Sequence, residues 1–294
     1  MKILWISDFD TSTFPGGAQF TQALLLREGE QRHNISKYFF RGQSTPGVEL
    51  EFDKYDLVIS NTLINLWKTL LVPLKSIKHH IHISHDISPY LSPQNKKILF
   101  NDNLLTCFMS PEHIHSYIGY FVGDKYVLYP PIDTDIFQDY NQPRNVDCVW
   151  IGLFHPLKGI IEFSNYVKQN QEKSFILIGF GDESYIKDIM YLPNVNYLRM
   201  LKNELLPSVY NTSKSLFFSP QQDETFGRTV AEAIICGCNI ITDGKYNIPS
   251  LNLYKRIGKD ETKRTVQNSA IRFWEKIGTY DLYKDALDSG EKGL

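Results

Sequence analysis

The sequence is poor in cysteine and contains no long hydrophobic run, and each of these absences excludes a class of protein. The four cysteines lie in or beside apolar runs without paired C-x-x-C spacing, so the pattern predicts buried, reduced thiols and neither a zinc site nor a disulfide framework. No run approaches the roughly 18 apolar residues that a membrane-spanning helix needs. Asp8 and Asp10 come too early for the apolar region of a signal peptide, so we expect a cytoplasmic protein.

Positive charge is also scarce. The 294 residues carry 31 lysines and arginines against 33 aspartates and glutamates. The first 142 residues carry 12 against 15, and the remainder carry 19 against 18. Non-specific binding to nucleic acid depends on a basic excess, which neither half of the chain provides. With 18 glycines, 14 prolines and 42% hydrophobic residues, the composition also excludes a disordered or fibrous chain.

Short apolar runs alternate along the chain with segments long enough to hold helices. The first run, residues 2–7, leads into Pro15-Gly16-Gly17 and an amphipathic stretch at residues 18–27. Further runs are at residues 35–40, 56–60, 80–84, 106–110 and 126–129, and then at residues 148–152, 175–179, 195–198, 215–219 and 240–242. This alternation predicts an α/β fold with two Rossmann-like, doubly wound parallel sheets facing a central cleft. A polar, proline-containing stretch at residues 139–147 is the predicted linker, which gives domains at residues 1–142 and 143–294.

Two loops that follow predicted strands carry residues suited to bind an anion or a sugar. Ligands of doubly wound sheets lie beyond the carboxyl ends of the strands, where helix N-termini favour negative charge. Gly16 and Gly17 follow the first strand, and paired glycines let the backbone approach a bulky anion. Glu224 lies in the loop after the strand at residues 215–219, and Glu232 follows in the next helix. The apolar neighbours of Glu232 predict that its side chain is buried and has a polar partner. Alternatively, Glu224 only stabilises the start of the helix, and Glu232 is exposed to solvent.

The sequence around these glutamates resembles the donor-site signature of retaining GT-B glycosyltransferases, in particular glycosyltransferase family 4. The E-x7-E spacing in ETFGRTVAE is followed by Ala233 and by CGCNII. Other motifs match in the expected order: GG at residues 16–17, HD at 85–86, YPPIDTDIF at 129–137, the segment from Gly152 to Gly159, and GFGDE at 179–183. The resemblance extends from Met1 to about Thr242.

The resemblance implies an enzyme that moves a hexosyl or pentosyl group from a nucleoside-diphosphate sugar with retention of configuration and without a metal or cofactor. It assigns catalytic roles to Glu224 at the transferred sugar, to His85 from the N-terminal domain and to Lys158 at the diphosphate. It implies substrate binding by Lys158, Glu232 and the backbone around Gly16, Gly17, Phe226 and Gly227. Thr225 and Arg228, from the same loop and helix start, are our further candidates for substrate binding. The acceptor, a glycan, a lipid-linked or another molecule, would bind mainly to the N-terminal domain.

Two departures from the family pattern stand out. The family usually has an arginine where this chain has Leu153, so one phosphate cation is missing. Arg228 or His155 would supply it, or Arg228 instead pairs with one of the acidic residues just before it, Asp223 or Glu224. In addition, the glycine-rich stretch and third carboxylate that the family has near the end of the chain are absent.

Three further segments have both a structural and a functional interpretation. His79, His80, His82 and His85 resemble a metal cluster, but strand alternation separates His79 from His80 and His82, and we expect no metal site. His113 and His115 are predicted at the surface. Residues 66–78 mix apolar side chains with three lysines, which suits a crossover helix after the run at residues 56–60 or, alternatively, peripheral contact with a membrane carrying a lipid acceptor. Residues 270–277 are amphipathic and match the family's closing helix, at about residues 266–294, which packs back on the first domain.

The leading hypothesis is therefore a metal-independent retaining glycosyltransferase, and two alternatives remain. The first is a nucleotide-sugar-binding subunit without catalysis, motivated by Leu153 and the short C-terminal region. The second is another GT-B enzyme, such as an epimerase, a phosphorylase or a DNA-modifying glycosyltransferase. The acidic balance of the first 142 residues argues against a nucleic-acid acceptor without excluding it.

Overall fold

The computed structural model describes residues 1–48, 50–61, 79–87, 104–118 and 123–288. Contacts divide the chain into two compact units: unit 1 comprises Met1–Pro131 and Thr265–Leu294, and unit 2 comprises Ile132–Arg264. Each unit is built on its own parallel sheet. The predicted α/β fold class, with two parallel-sheet domains, is confirmed.

The sheet of unit 1 has six strands in the order β2-β1-β3-β4-β5-β6. Its elements are β1 (Lys2–Phe9), α1 (Gly17–Gly29), β2 (Asn34–Arg41), β3 (Leu57–Asn61), β4 (His80–Ser84), β5 (Leu104–Phe108), α2 (Pro111–His115) and β6 (Asp124–Val127). The residues of β1 from Ile3 to Asp8 are buried without alternation, the pattern typical of an inner strand of a parallel sheet. Pairing in register places Ser7 of β1 beside Asn61 at the end of β3.

The sheet of unit 2 has five parallel strands in the order β11-β10-β7-β8-β9. Its elements are β7 (Val146–Phe154), α3 (Ile160–Gln169), β8 (Phe175–Gly181), β9 (Val195–Tyr197), α4 (Leu206–Thr212), β10 (Ser213–Phe217), α5 (Arg228–Ile235), β11 (Asn239–Ile241) and α6 (Pro249–Gln267) up to Arg264. Gly258, with φ of 79° and ψ of 174°, interrupts α6. β7 lies at the centre of this sheet, with β10 and β8 on either side.

An aromatic core fixes the elements on which the loops of unit 2 depend. Trp150 and Phe154 of β7 stack at 5.8 Å between ring centroids, and Phe163 of α3 lies 6.1 Å from Trp150 and 5.6 Å from Phe217 of β10. Such pairs contribute about 0.5–1.5 kcal/mol each beyond their burial. The core thus holds the ends of β7 and β10 in fixed positions.

All four cysteines of the chain are buried and unpaired, as the sequence predicted.

The polar stretch predicted as a linker, residues 139–147, belongs to unit 2. The Arg144 guanidinium donates from Nη1 to the Ser213 carbonyl at 2.8 Å and from Nη2 to the Cys236 carbonyl at 2.6 Å. One arginine therefore ties the stretch to β10 and to the end of α5. The boundary between the two units consequently falls at residues 131–132, earlier than the predicted position after residue 142.

The helix α7 (Ser269–Asp288) belongs to unit 1, although it follows all of unit 2 in the chain. Trp274 Nε1 donates to the Leu25 carbonyl of α1 at 2.8 Å. A Cβ atom on Gly29 would lie 2.2 Å from the Trp274 indole, so α1 and α7 approach closely where α1 has a glycine. Ser269 Oγ also donates to the Tyr129 carbonyl. Side-chain packing and hydrogen bonds together attach this last helix to the first part of the chain.

The predicted crossover helix after β3 and the amphipathic segment at residues 66–78 lie outside the described residues. Within the described ranges, no helix is both long enough and apolar enough to cross a bilayer.

Candidate functional site

In unit 2, two loops at the carboxyl ends of neighbouring strands are held together. The loop after β7 contains the 3₁₀ turn Pro156–Lys158, and the loop after β10 leads to α5. The backbone N–H of Gln221 donates to the Leu157 carbonyl at 3.0 Å, across the two loops. Gly159 has a φ of 76°, and a Cβ atom on it would lie 2.1 Å from the Ser219 carbonyl oxygen. Only glycine fits here, and it allows the two predicted site loops to meet.

The meeting of these loops creates an ion pair between Lys158 and Glu224. Lys158 Nζ lies 2.7 Å from Glu224 Oε1, with the lysine side chain 39% exposed and the glutamate 12% exposed. The backbone N–H of Glu224 donates to the Asn247 carbonyl at 2.9 Å, which fixes the backbone that carries the carboxylate. An ammonium group has three donors, so Lys158 can bind a further anion while it contacts Glu224.

The predicted residues Thr225, Phe226 and Gly227 connect this loop to α5. Phe226 is buried and anchors the loop, whereas Thr225 is partly exposed. Gly227 has a φ of 83° and is the residue that precedes the first turn of α5. Ser250 holds the connection from α6, donating from its N–H to the Phe226 carbonyl and from Oγ to the Gly227 carbonyl, each at 2.8 Å. The N-terminus of α5 is thereby fixed next to Glu224.

The second predicted glutamate, Glu232, is buried in α5 and has two partners. It is 4% exposed, so the alternative of a solvated residue is wrong. Arg228 Nε donates to its Oε1 at 2.7 Å, and the Tyr210 hydroxyl donates to its Oε2 at 3.3 Å. Burial raises the pKa of Glu232 against the opposing effect of Arg228, and burial beside Glu232 raises the pKa of Tyr210. Arg228 thus has a partner that the sequence did not identify, one helical turn along α5.

The position at which the resembled family has an arginine lies near the end of β7. Leu153 occupies it and is 36% exposed. His155 is also exposed, and its Nδ1 accepts the N–H of Leu157 at 3.2 Å, which caps the following turn. Of the two residues predicted to replace the missing cation, His155 therefore has a local structural task, and Arg228 is tied to Glu232.

In unit 1, the predicted residue His85 follows β4 directly. Its Nε2 lies 2.9 Å from Oδ1 of Asn61, the last residue of β3. Desolvation, with a smaller effect of neighbouring histidines, lowers the pKa of His85 to about 3. His85 is therefore neutral near pH 7 and acts there as a hydrogen-bonding group rather than a cation.

The predicted glycines of unit 1 lie at the start of α1, after the carboxyl end of β1. Gly16 precedes the helix and supplies no side-chain cap, and a Cβ atom on it would lie 2.7 Å from Gln19 Oε1. Gly17 is the first residue of the helix and is exposed. The first-turn N–H groups of α1 thus lie at the strand end where ligands of such sheets bind.

Other histidines of unit 1 are buried and hydrogen-bonded. The prediction that His113 lies at the surface is wrong, because it is 2% exposed and its Nε2 donates to the Asp86 carbonyl at 2.8 Å. Ser60 Oγ lies 2.7 Å from His80 Nε2 and 3.1 Å from His82 Nδ1, so these two rings share one face of β4. In the described part of the chain, no group of three or more His, Cys, Asp or Glu residues is arranged to hold a metal ion.

The sequence analysis did not identify Asn61 and Tyr210, which contact predicted site residues, or Gln22, which contacts Asn61. Asn61 could have been found, because it directly follows a predicted strand run. Gln22 and Tyr210 carry no such signal. They lie on helices, and nothing in the neighbouring sequence marks them as site residues. Tyr210 contacts Glu232, and Gln22 contacts Asn61.

Neither a protein-family model nor a curated relative matches the sequence, but solved structures share its fold over almost its whole length. Anabaena HepE in complex with UDP-glucose has 19% identity and a TM-score of 0.63, covering 99% of this chain and 100% of HepE. Sucrose-phosphate synthase from Thermosynechococcus elongatus has 14% identity and a TM-score of 0.64, covering 98% of this chain and 100% of the synthase. A glycosyltransferase from Rickettsia africae has 12% identity and a TM-score of 0.65, covering 96% of this chain and 98% of its own. The chain therefore has the fold of GT-B glycosyltransferases.

Proposed function

We propose that the protein is a retaining glycosyltransferase that moves a sugar from a nucleoside-diphosphate donor to an acceptor without the help of a metal ion. The observation that carries this proposal is the paired arrangement in unit 2: Lys158 with Glu224, and Arg228 with Glu232, on adjoining loop and helix. The family resemblance assigns donor binding to Lys158, Glu224 and Glu232, and Arg228 is our candidate for the missing phosphate cation. The complex of HepE with UDP-glucose supports the same class of donor.

Lys158 and the N-terminus of α5 would bind the donor diphosphate. The leaving group gains negative charge as the glycosidic bond breaks, and fixed positive groups near it stabilise that charge. An ammonium group and the positive end of a helix dipole are groups of this kind. Lys158 is 39% exposed and can therefore reach a ligand without leaving Glu224.

The two glutamates would hold hydroxyl groups of the donor. Glu224 retains a carboxylate oxygen beyond the one paired with Lys158, and we propose that it accepts from hydroxyls of the transferred sugar. Glu232 has one protein donor on each oxygen, and each carboxylate oxygen accepts more than one hydrogen bond. A ribose hydroxyl can therefore be added to Glu232 without breaking the Arg228 pair.

The proposed reaction exchanges one bond at the anomeric carbon for another. The bond from this carbon to the phosphate oxygen breaks, and a bond to the acceptor oxygen forms on the same face of the sugar. The departing phosphate takes the proton of the acceptor hydroxyl, so atoms and charge balance and the configuration is retained. His85, being neutral, would contact a sugar hydroxyl as a hydrogen-bonding partner.

A donor screen tests this proposal. The protein is incubated with UDP-, GDP- and ADP-sugars, and thermal shift, nucleotide release and the anomeric form of the released sugar are measured with and without EDTA. We expect one nucleotide class to raise the melting temperature and to release nucleotide with retained configuration, unaffected by EDTA. Inverted product, or loss of nucleotide release in EDTA, would contradict the respective part of the proposal.

One observation favours a second candidate, a nucleotide-sugar-binding subunit without catalysis. Leu153 leaves an exposed apolar group where the resembled family has a phosphate-binding arginine. Donor binding without nucleotide release, with any acceptor supplied, would support this candidate.

Conversion of the donor sugar into an isomer without acceptor would instead indicate an epimerase. The screen for turnover also includes glycan, lipid-linked and DNA acceptors. The lipid-linked acceptor is supplied in vesicles, and binding of the protein to these vesicles tests peripheral membrane contact.

A further inference from the structure

Three side chains of unit 1 form a hydrogen-bond chain whose donors and acceptors can be assigned. The indole N–H of Trp5 can only donate, and it lies 3.1 Å from Oε1 of Gln22. On the other side of the same amide, Gln22 Nε2 lies 3.1 Å from the Phe9 carbonyl, which can only accept. These two contacts agree, so the orientation of the Gln22 amide follows from chemistry.

The orientation of Asn61 follows from that of Gln22. Asn61 Nδ2 lies 2.8 Å from Gln22 Oε1, which can only accept, so the nitrogen of Asn61 must face it. Asn61 therefore turns its own Oδ1 toward His85 Nε2, at 2.9 Å. Because Oδ1 also can only accept, the proton of the neutral imidazole must be on Nε2.

We infer that Trp5, Gln22 and Asn61 are positioning residues that hold His85 in its Nε2–H tautomer, so that Nδ1 is the hydrogen-bond acceptor it offers to a substrate hydroxyl. The tautomer follows from contacts within unit 1 alone. The substrate hydroxyl rests on the proposed function. Trp5 and Gln22 do not touch His85 and act only through Asn61.

A second set of bonds holds the backbone just after His85. The Asp86 carbonyl accepts from the Tyr117 hydroxyl at 2.6 Å and from His113 Nε2 at 2.8 Å. The His113 tautomer is itself set, because its Nδ1 accepts the N–H of Met109 at 3.1 Å. The backbone next to the imidazole is thus held independently, and the amide chain determines which ring nitrogen of His85 carries the proton.

The inference defines a class of substrate. An Nδ1 lone pair binds a hydroxyl that donates its proton, and it has no attractive interaction with a fluorine or a hydrogen at the same position. We therefore expect the sugar that contacts His85 to need a free hydroxyl there. A single hydrogen bond of this kind corresponds to roughly tenfold in kcat/KM.

The tautomer is tested directly by nitrogen NMR of ligand-free protein labelled with ¹⁵N-histidine, with His85→Gln used to assign the resonances. We expect His85 to show a protonated Nε2 and an unprotonated Nδ1, unchanged between about pH 6 and pH 8. A proton on Nδ1, a mixture of tautomers, or a charged ring in this range would overturn the inference. This measurement on the wild-type chain needs no variant to fold and no activity.

The positioning role is tested with Asn61→Asp, which keeps the shape but replaces the amide by a carboxylate. A carboxylate stabilises the charged imidazole, so we expect both nitrogens of His85 to be protonated near pH 7. Ser60→Ala is the matched control, since Ser60 is the preceding residue of the same strand and contacts His80 and His82 instead. An Nε2 without a proton in Asn61→Asp would mean that the side chain at position 61 does not set the tautomer, because the carboxylate is also an acceptor.

Kinetics connect the tautomer to substrate choice. With the donor found in the screen and its monodeoxy and monofluoro analogues, wild type should lose roughly tenfold in kcat/KM when either replaces one particular hydroxyl, because an Nδ1 lone pair attracts neither hydrogen nor fluorine. In Asn61→Asp the charged ring would donate from Nδ1, so the monofluoro analogue should react faster than the monodeoxy one, whereas Ser60→Ala should behave like wild type. The absence of such a hydroxyl, or a monofluoro analogue that exceeds the monodeoxy one in wild type, would refute the substrate part of the inference. If no donor turns over, the proposed function fails, while the NMR result still decides the tautomer.

Discussion

The two units stabilise polar groups at the carboxyl ends of their sheets in opposite ways. Unit 2 uses charges, with Lys158 against Glu224 and Arg228 against Glu232. Unit 1 uses neutral imidazoles and amides, in which each hydrogen-bond donor faces an acceptor. A buried charge needs an opposite charge, whereas a neutral group needs only the right donor or acceptor. The units should therefore differ most strongly in their response to pH.

The largest expected effect is that acid destabilises unit 1 selectively. Burial lowers the pKa of His80 and His85 to about 3 and of His82 and His113 to about 4, from 6.5. The unfolded chain therefore binds protons below pH 6.5 that the folded unit does not. Each of these histidines removes about 1.4 kcal/mol of stability per pH unit over that window.

Unit 2 should behave differently over the same range. The raised pKa of Glu232 means that the folded state binds this proton more tightly, so its contribution to stability grows as the pH falls toward and below that pKa. Pulse proteolysis in urea at pH 7.5, 6.0 and 5.0, with fragments identified by mass spectrometry, measures each unit separately. We expect the urea midpoint of unit 1 to fall much further than that of unit 2. Equal shifts would remove the contrast between the units.

Breaking the Arg228–Glu232 pair should have the next largest effect. Arg228→Met leaves a buried carboxylate with Tyr210 as its partner, and we expect a loss of about 3–5 kcal/mol at pH 7.5. The loss should be smaller at pH 5, because a protonated Glu232 needs no cation. Urea unfolding at both pH values measures it.

The exposed pair between Arg264 and Glu261 provides a matched control for this variant. Its partners are 67% and 46% exposed, so Arg264→Met should cost less than about 1 kcal/mol. Adding Glu232→Leu to Arg228→Met should recover most of the lost stability. An equal cost of Arg228→Met at both pH values would mean that the carboxylate charge is not the cause.

The proposed role of Lys158 predicts a large effect on turnover and a small one on stability. Lys158→Ala should lower kcat for the donor found in the screen by about 10²–10³-fold, the usual loss when one group that stabilises developing charge is removed. Lys168→Ala, which breaks an exposed 2.8 Å pair with Asp188 in the same unit, should leave kcat unchanged. Comparable kcat values for the two variants would place the diphosphate elsewhere.

A smaller effect is expected from the close approach at Gly159. Gly159→Ala would combine a φ of 76° with a Cβ 2.1 Å from the Ser219 carbonyl, whereas Gly244→Ala would have a φ of 69° and nothing within 4 Å. The left-handed backbone alone costs roughly 1–2 kcal/mol. Thermal unfolding should therefore show a greater loss for Gly159→Ala, and equal losses would show that the two loops can separate freely.

The positions of the strands in the sequence and their parallel type could be predicted, because each is a short apolar run between turn residues and the runs alternate with segments long enough for helices. Their ends were less predictable. The run at residues 106–110 extends past β5, which ends at Phe108, because the Ser110 hydroxyl accepts the His113 N–H and starts α2. A side-chain cap of this kind competes with strand pairing, and the pattern of hydrophobic residues does not predict it.

The site loops of unit 2 could be found from sequence because their charged residues lie close together in one motif. The network of unit 1 could not, since its partners are distant in the chain: Gln22 and Asn61 are 39 residues apart, and Asn61 and His85 are 24 apart. Residue types were visible, but the matching of one donor to one acceptor depends on strand register. The burial of His113 was missed for the same reason, because its acceptor is the backbone of Asp86.

The attachment of α7 to unit 1 also determines the order in which the two units can be completed during synthesis. Unit 2 is continuous in the chain, whereas unit 1 needs α7, whose Trp274 bonds to Leu25 across 249 residues. A ribosome therefore finishes unit 2 before it delivers the last helix that unit 1 requires. Unit 1, although it contains the first residues made, is the later of the two to reach its final structure.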